Sequence, residues 1–282
     1  VSSFNERKSD CMSGEVVAAM AAGEPAGRGV LRVTLRHDGR LNAMSRAMWR
    51  HLRSVFESVQ RSIDVRCVLI EGAGQAFCAG GDISEYPDFR FDVAQLRDFH
   101  ENDVWGGLSA MLACDVPIVA RIAGACMGAG VEIASCCDIR IAETGARFGA
   151  PIAKLGFPMA PREAALVAGA VGDVTARQML LEAATFDAAE MARRGFLSRV
   201  VEADQLEAQA VGAALRIAAL APGAARMNKQ TLRAFQAQKM PTTPDHQAQI
   251  AIKTIVDPYA YADSAEHREG ITAFLEKRSP VF

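Results

Sequence analysis

The stretch VPIVARIAGACMGAGVEIASCCDIRIA, residues 116–142, decides the fold of this chain. Its first part, Pro117–Ile122, is a short apolar run typical of a buried strand, and the glycine-rich turn GACMGAG at 124–130 follows it. A helix is predicted from about Ala129, and a further strand over Asp138–Ala142. The order of strand, glycine turn, helix and strand predicts an α/β protein.

The residues before this stretch follow the same order. Alternating apolar and polar residues predict a strand at Val30–Leu35, and Ser45 can cap a helix that ends near Ser62. The apolar run Val65–Ile70 predicts a strand in a sheet covered on both faces. Glycine-rich residues at 72–82 and a helical stretch over roughly 93–112 come next, and the chain is mostly helical after Arg162. These patterns divide the chain into a tail and lead-in at 1–26, an α/β core at 27–205 and a helical C-terminal region at 206–282.

Composition excludes several classes of protein. Half of the 282 residues are hydrophobic and 23% are charged, which excludes a disordered chain. The formal net charge of −2 gives no general attraction to nucleic acid or to an anionic membrane, so neither partner is expected. No apolar run is long enough to span a bilayer, and residues 1–10 lack the apolar core of a signal peptide. The seven cysteines form no CxxC pair, which favours buried thiols in a reducing, cytoplasmic location.

Two glycine-rich turns carry the strongest chemical signal. Cys78–Ile83 and Met127–Glu132 each follow a strand and are each predicted to open a helix, where the first N–H groups have no internal acceptor. Two such groups aimed at one point would form an oxyanion hole, whereas the alternative is a pair of tight turns without chemistry. Glu132 is the only charged residue between Ile122 and Asp138. A carboxyl group in such apolar surroundings favours acid/base chemistry, and the alternative is a helix-start glutamate stabilised by the helix dipole.

Motifs for a bound cofactor or metal are weak. The run GAGQAF at 72–77 matches a dinucleotide-binding fingerprint only in part, because Phe77 stands where a small residue is needed. The sequence has no phosphate-binding lysine loop, no HExxH motif and no spacing of histidines and cysteines typical of a metal site. We therefore expect neither a cofactor nor a metal.

With these residues in view, the chain resembles the enoyl-CoA hydratase/isomerase family, the crotonase superfamily. The resemblance covers nearly the whole chain after residue 27 and rests on an ordered series of segments: GRLNAM at 39–44, AFCAGGDI at 76–83, the stretch at 116–142, ARFGAP at 146–151 and EHREGITAFLEKRSPVF at 266–282. It implies a spiral of ββα units followed by a helical C-terminal region that mediates trimers, which commonly pair into hexamers. It also implies an acyl-CoA thioester as substrate, a role in fatty acid metabolism, and no metal or redox cofactor.

The resemblance also implies roles for individual residues. Gly81 and Ala129 would supply the two N–H groups of the oxyanion hole, and Glu132 matches the first of the two catalytic glutamates of the hydratases. Lys277 and Arg278 lie in the tail that in this family often reaches CoA phosphates from a neighbouring subunit, and a solvated helix end is the alternative. The expected substrate-binding residues are Leu41, Ala43, Ala79, Gly81, Asp82, Ile83, Gly128, Pro151 and Ile152.

One departure from the family leaves the reaction open. Ile152 stands where the hydratases have their second catalytic glutamate, and the usual PGAGG segment is replaced by PMAPRE at 158–163. An enoyl-CoA hydratase-like lyase or isomerase remains the first hypothesis, because the thioester-binding residues are present. The alternatives are decarboxylation, thioester hydrolysis, or a non-catalytic acyl-CoA-binding protein. A substitute acid is expected from one of four residues: His100, Glu101, Asp103 and Glu163.

Overall fold

The computed structural model describes residues 14–21, 29–239, 259 and 261–282. The strands are β1 (Glu15–Met20), β2 (Val30–Arg36), β3 (Cys67–Gly72), β4 (Ile118–Ile122), β5 (Ala125–Met127), β6 (Ile139–Glu143), β7 (Arg147–Gly149), β8 (Thr185–Asp187) and β9 (Arg199–Val201). The α-helices are α1 (Arg46–Arg61), α2 (Val93–Asp98), α3 (Trp105–Ala113), α4 (Ala129–Ser135), α5 (Pro161–Val171), α6 (Asp173–Leu181), α7 (Ala188–Arg193), α8 (Leu206–Ala218), α9 (Pro222–Lys239) and α10 (Ala265–Leu275). Short 3₁₀-helices cover Ile83–Asp88, Ile152–Leu155 and Ala203–Gln205, and a π-helical segment, Phe99–Val104, joins α2 to α3.

Two sheets form the α/β core. The larger sheet has the order β1-β2-β3-β4-β6-β9, in which β1 runs antiparallel to β2 and the remaining neighbours are parallel. The smaller sheet has the order β5-β7-β8. The chain passes from the larger sheet to the smaller one between β4 and β5 and then enters α4. This is one of the ββα units that the sequence predicts.

Local sequence explains the first strand–helix–strand unit. Ser45 caps α1 by accepting a hydrogen bond from the N–H of Met48, and the helix ends at Ser62, as predicted. The apolar residues that recur along α1 are buried, and every residue of β3 is buried as well. A strand with both faces covered needs helices on both sides of the sheet, and α1 and α8 occupy those two sides.

The short strands were not predicted. Strands β5, β7, β8 and β9 have three residues each, which is too few to show a periodic pattern. Strand β1 lies inside the segment that the sequence suggests is only a tail and lead-in, and it forms the edge of the larger sheet. Residues 1–13 and 22–26 of that segment lie outside the described residues.

The helical C-terminal region begins on the larger sheet. Apolar residues of α8 pack against the face of the sheet opposite α1. Arg66 donates to the carbonyl of Phe282, and the N–H of Gly223 at the start of α9 donates to Glu266 in α10. The first contact holds the end of the chain to the α/β core, and the second joins α9 to α10 within the C-terminal region. Its residues 240–258 and 260 lie outside the described residues.

Within the described residues, no single helix is long and apolar enough to cross a membrane. Only the bent pair Ala203–Ala218 and Pro222–Phe235, with an angle of 105° between its members, reaches that length and composition together. The six cysteines in the described residues are all free and buried. Burial raises the pKa of the Cys67 and Cys78 thiols to about 12, so both remain protonated and unreactive at neutral pH.

Candidate active site

The fold brings the two glycine-rich turns together. The N–H of Cys78 donates to the carbonyl of Ala125, and the N–H of Met127 donates back to the carbonyl of Cys78. A Cβ atom on Gly130 would overlap the carbonyl of Cys78, so the start of α4 touches the first turn without a side chain between them. Gly81 and Ala129, whose N–H groups are predicted to face one point, therefore lie on neighbouring segments.

The N–H groups of Gly81 and Ala129 are not used by the backbone. Met44 and Gly81 form an isolated β-bridge. In it the N–H of Met44 donates to the carbonyl of Gly80, and the N–H of Asp82 donates to the carbonyl of Met44. The N–H of Gly81 takes part in neither hydrogen bond. Ala129 is the first residue of α4, where an N–H has no acceptor within the helix. Across the described residues, neither N–H donates to another backbone group. Both donors remain available for a ligand oxygen.

Glu132 lies in the first turn of α4, beside Ala129, and is buried. Among the described residues, none donates a hydrogen bond to its carboxyl group. Burial, and then the negative charge of Glu163, raise the pKa of Glu132 well above its ordinary value. A buried carboxyl without a structural partner can hold a proton and release it to a bound molecule.

The neighbour whose charge acts on Glu132 is Glu163, one of the four suggested substitute acids. Glu163 lies in the first turn of α5, which packs against α4, and it is 3% exposed. Its Oε1 atom lies 2.7 Å from Nδ1 of His100, in the π-helical segment. The structure therefore joins two of the suggested residues into one pair beside Glu132.

The other two suggested acids are engaged elsewhere. Asp103 is buried in a double ion pair with Arg46 and Arg50, which contradicts the expectation that it could supply a free acid. Glu101 is exposed and pairs with Arg162. Both carboxylates are paired with arginines of other helices. Of the four suggested residues, Glu163 and His100 therefore remain as candidates for the second acid.

Tyr86 also reaches the two turns, and sequence reasoning missed it. A Cβ atom on Gly81 would overlap the hydroxyl group of Tyr86, which places that hydroxyl against the Cα atom of Gly81. Burial raises the pKa of Tyr86 to about 12, to which the charges of Glu132 and Glu163 also contribute. The phenol therefore stays protonated and can donate a hydrogen bond. The one sequence feature that could have indicated a role for Tyr86 is the aromatic content of residues 83–99. In the fold, Tyr86 packs edge-on against Phe89 and Phe99.

The remaining expected substrate-binding residues divide into exposed and structural groups. Leu41 is 59% exposed and Ile83 is 52% exposed, while Ala79 donates its N–H to the carbonyl of Leu41. Asp82 is buried and caps the 3₁₀-helix by accepting from Ser84. It also contacts Arg40, so its carboxylate has structural partners. Residues with less exposure than Leu41 and Ile83 complete the set: Ala43, Gly128, Pro151 and Ile152.

The turn that carries Leu41 has an unusual backbone that the sequence did not reveal. Leu41 and Asn42 both have positive φ angles, of 47° and 60°. The side chain of Asn42 holds this turn by donating to the carbonyls of Ala73 and Ala76. Asn42 therefore ties the turn of Leu41 to the loop that leads into the first glycine-rich turn.

Ile152 opens the 3₁₀-helix after Pro151 and packs partly buried against the main core. Its side chain can neither give nor take a proton.

At the C-terminal end, Arg278 binds Glu269 and Glu276 of its own chain. Within the described residues, no group of three or more histidine, cysteine or acidic side chains is arranged to hold a metal ion.

Comparison with known proteins confirms the family that the sequence resembles. The sequence profile described as enoyl-CoA hydratase/isomerase matches residues 26–282. A protein of Mycobacterium tuberculosis named probable enoyl-CoA hydratase is 34% identical over 251 residues, which cover 89% of this chain and 93% of that protein. The mouse protein named mitochondrial enoyl-CoA hydratase domain-containing protein 3 is 30% identical over 258 residues, covering 90% and 81%. The crystal structure of an enoyl-CoA hydratase/carnithine racemase from Magnetospirillum magneticum superposes with a TM-score of 0.82 at 33% identity, covering 94% of this chain and 96% of that one.

Proposed function

The chain belongs to the enoyl-CoA hydratase/isomerase family, and from this premise we propose that it adds water to a 2-enoyl-CoA thioester. Glu132 would supply the acid, and the Glu163–His100 pair would replace the second carboxylate. The observation that carries the proposal is the position of Glu132: it is buried, has no hydrogen-bond donor among the described side chains, and lies beside an unused N–H group. Several relatives carry the name enoyl-CoA hydratase, which supports this reaction class.

The thioester carbonyl would bind between the N–H groups of Gly81 and Ala129. Negative charge develops on this oxygen when a nucleophile adds at the β carbon, and two fixed donors stabilise that charge more than they stabilise the ground state. Loss of one such donor typically lowers the rate about 10²–10³-fold. The protonated phenol of Tyr86 lies at the same place and can add a third donor.

Proton transfer would be divided between two glutamates. Water attacks the β carbon while Glu163 takes a proton from it, with His100 orienting the carboxylate. The enolate that forms takes a proton at the α carbon from Glu132. The raised pKa of Glu132 favours this direction, because the group then starts with a proton to give. Transfer of a proton from Glu163 back to Glu132 restores the starting state.

Ile152 makes the site different from a two-glutamate hydratase of the expected pattern. An apolar side chain at this position holds no water by hydrogen bonding, and it leaves all proton transfer to groups on α4 and α5. Double-bond isomerisation needs only one group that moves a proton between two carbons. Ile152 therefore makes isomerisation the second candidate reaction.

A panel of acyl-CoA esters tests the proposal, with products identified by mass spectrometry and chromatography. We expect a 3-hydroxyacyl-CoA product, and we expect Glu132→Gln to abolish its formation while the ester still binds. Glu101→Gln is the matched control, since Glu101 is an exposed glutamate on a neighbouring helix. A shifted double bond would identify an isomerase. Free CoA, loss of carbon dioxide, or binding without turnover would overturn the proposal in favour of a thioesterase, a decarboxylase or a non-catalytic binding protein.

We further propose that the chain assembles into homotrimers or hexamers. Several apolar side chains of α9 and α10 are exposed in the single chain: Leu232, Phe235, Ile271, Phe274 and Leu275. Large exposed apolar side chains on two successive helices support an interface between chains. The sequence of the C-terminal region also offers apolar residues for assembly: Leu215, Ile217, Leu220, Ile250, Ile252 and Ile255. Of these, Leu220 is exposed, whereas Leu215 and Ile217 pack partly buried against the core under α8. The three isoleucines at 250, 252 and 255 lie outside the described residues. Light scattering at micromolar concentration should give the mass of three or six chains, and a monomer would contradict this.

A further inference from the structure

Arg90 stands out among the arginines that lie on aromatic rings. Its Cζ atom is 3.6 Å from the ring centre of Phe157 and 4.5 Å from that of Tyr86. Four other arginines lie on rings in the described part of the chain, and each also forms a hydrogen bond or an ion pair through its guanidinium: Arg46, Arg140, Arg162 and Arg194. Among the described residues, the Arg90 side chain has no such partner.

The backbone fixes this arrangement. The N–H of Arg90 donates to the carbonyl of Tyr86, so Arg90 lies one turn beyond Tyr86 and its side chain folds back over the phenol. Phe157 comes from the segment that follows the 3₁₀-helix of Ile152, and its ring lies 6.0 Å from that of Tyr86. Stacking uses the flat face of a guanidinium and leaves its N–H edge free for a planar acceptor such as a carboxylate.

Arg90 also lies close to the proposed reaction centre. The hydroxyl of Tyr86 stands beside Gly81, and the other part of the same phenol ring is covered by Arg90. Glu163 acts electrostatically on both Glu132 and Arg90, without forming an ion pair with Arg90. The guanidinium is therefore about one phenol ring away from the expected position of the thioester carbonyl. A short acyl chain that starts at Gly81 can cover this distance.

We propose that Arg90 binds a carboxylate at the far end of the acyl group, so that the preferred substrate is the CoA ester of a short unsaturated dicarboxylic acid. This inference rests on the proposed function, because it places the acyl chain between the oxyanion hole and Arg90. Burial lowers the pKa of Arg90, and its guanidinium has no ion-pair partner among the described residues. A bound carboxylate would supply the missing partner. It would act as a binding handle rather than as a leaving group, because an ion pair with arginine stabilises the carboxylate.

The test compares two esters that differ in charge but hardly in shape. Glutaconyl-CoA carries the terminal carboxylate, and 5-methylhex-2-enoyl-CoA has an isopropyl group in its place. For the wild-type chain we expect kcat/KM to be about tenfold to a hundredfold higher for glutaconyl-CoA, the usual range for hydrogen bonds to a charged group. Arg90→Met should remove this preference, so that the two esters give the same kcat/KM. Arg90→Lys should restore part of it, and Arg97→Met, which removes an exposed arginine nearby, should change neither ester.

Binding of the saturated esters, glutaryl-CoA and 5-methylhexanoyl-CoA, separates this inference from the proposed reaction. If glutaryl-CoA binds more tightly and Arg90→Met abolishes the difference, the carboxylate site stands even when no hydration is measured. An equal loss of affinity for both esters and for free CoA in Arg90→Met would assign Arg90 to a CoA phosphate and overturn the proposal. Equal affinity of the wild-type chain for both esters would also overturn it.

Discussion

Replacing Glu163 by glutamine removes a buried negative charge beside Glu132 while keeping the shape of the side chain. The amide can still accept a hydrogen bond from Nδ1 of His100, which lies 2.7 Å from Oε1 in the wild-type chain. His100 can be neutral, so no buried charge is left without a partner. We therefore expect Glu163→Gln to fold and to bind CoA esters as the wild type does.

Its effect on catalysis should be large. One well-placed general acid or base contributes about 10²–10⁴ in rate, or roughly 3–5 kcal/mol of barrier. Hydration of crotonyl-CoA, followed by the loss of enoyl thioester absorbance, should slow by that factor in kcat/KM. The substitution also removes a charge that raises the pKa of Glu132. Because the proposed mechanism uses Glu132 in its protonated form, the alkaline limb of the residual pH–rate profile should move to lower pH.

Two results would refute this reasoning. If Glu163→Gln keeps kcat/KM within about threefold of the wild type, far below the effect of losing a general base, Glu163 is not the second group. If the rate falls together with affinity for the CoA ester, and the alkaline limb stays in place, the role of Glu163 is structural. Glu101→Gln serves as the control, because Glu101 is exposed and pairs with Arg162. It should leave both the rate and the profile unchanged.

Three further predictions concern single residues of the site. Glu132→Gln should become more stable relative to the wild type as pH rises above about 4.5, because above that pH Glu132 ionises in the unfolded chain while burial keeps it protonated in the folded chain; melting temperatures that differ by the same amount at every pH would contradict this. Ile152→Glu should raise hydration of crotonyl-CoA if its backbone follows the family path, and an unchanged rate in a folded variant would place residue 152 away from the reacting carbons. Ala129→Pro removes one N–H donor and should lower kcat about 10²–10³-fold, with circular dichroism to establish folding. Full turnover by a folded Ala129→Pro would show that the oxyanion hole lies elsewhere.

The sequence predicts the elements in which local and tertiary preferences agree. Helix α1 begins after Ser45 and ends at Ser62 as expected, because its cap and its apolar stripe specify the same boundaries. Strands β2 and β4 were also placed within a residue or two. Strand β1 escaped prediction, although five of its six residues are apolar, because only Val16 of the six is buried and an edge strand shows little alternation.

The candidate site was predictable only in part, for a physical reason. Gly81, Ala129 and Glu132 lie in two local motifs, and each motif carries its own chemistry in a few consecutive residues. The pairing of His100 with Glu163 joins positions that are 63 residues apart, and no local pattern relates them. The sequence did not single out Arg90, because the absence of a partner for its guanidinium depends on which side chains reach it in the folded chain.

The surroundings of the two glutamates support the roles proposed for them without reference to the family pattern. Glu163 lies in the first turn of α5, where the helix dipole and the His100 ring both favour negative charge. Glu132 lies in a helix of only seven residues, is buried, and faces that charge with no donor among the described side chains. Two buried carboxyl groups close together cannot both ionise cheaply, and burial together with the charge of Glu163 raises the pKa of Glu132. This is the physical reason for proposing Glu132 as the acid and Glu163 as the base.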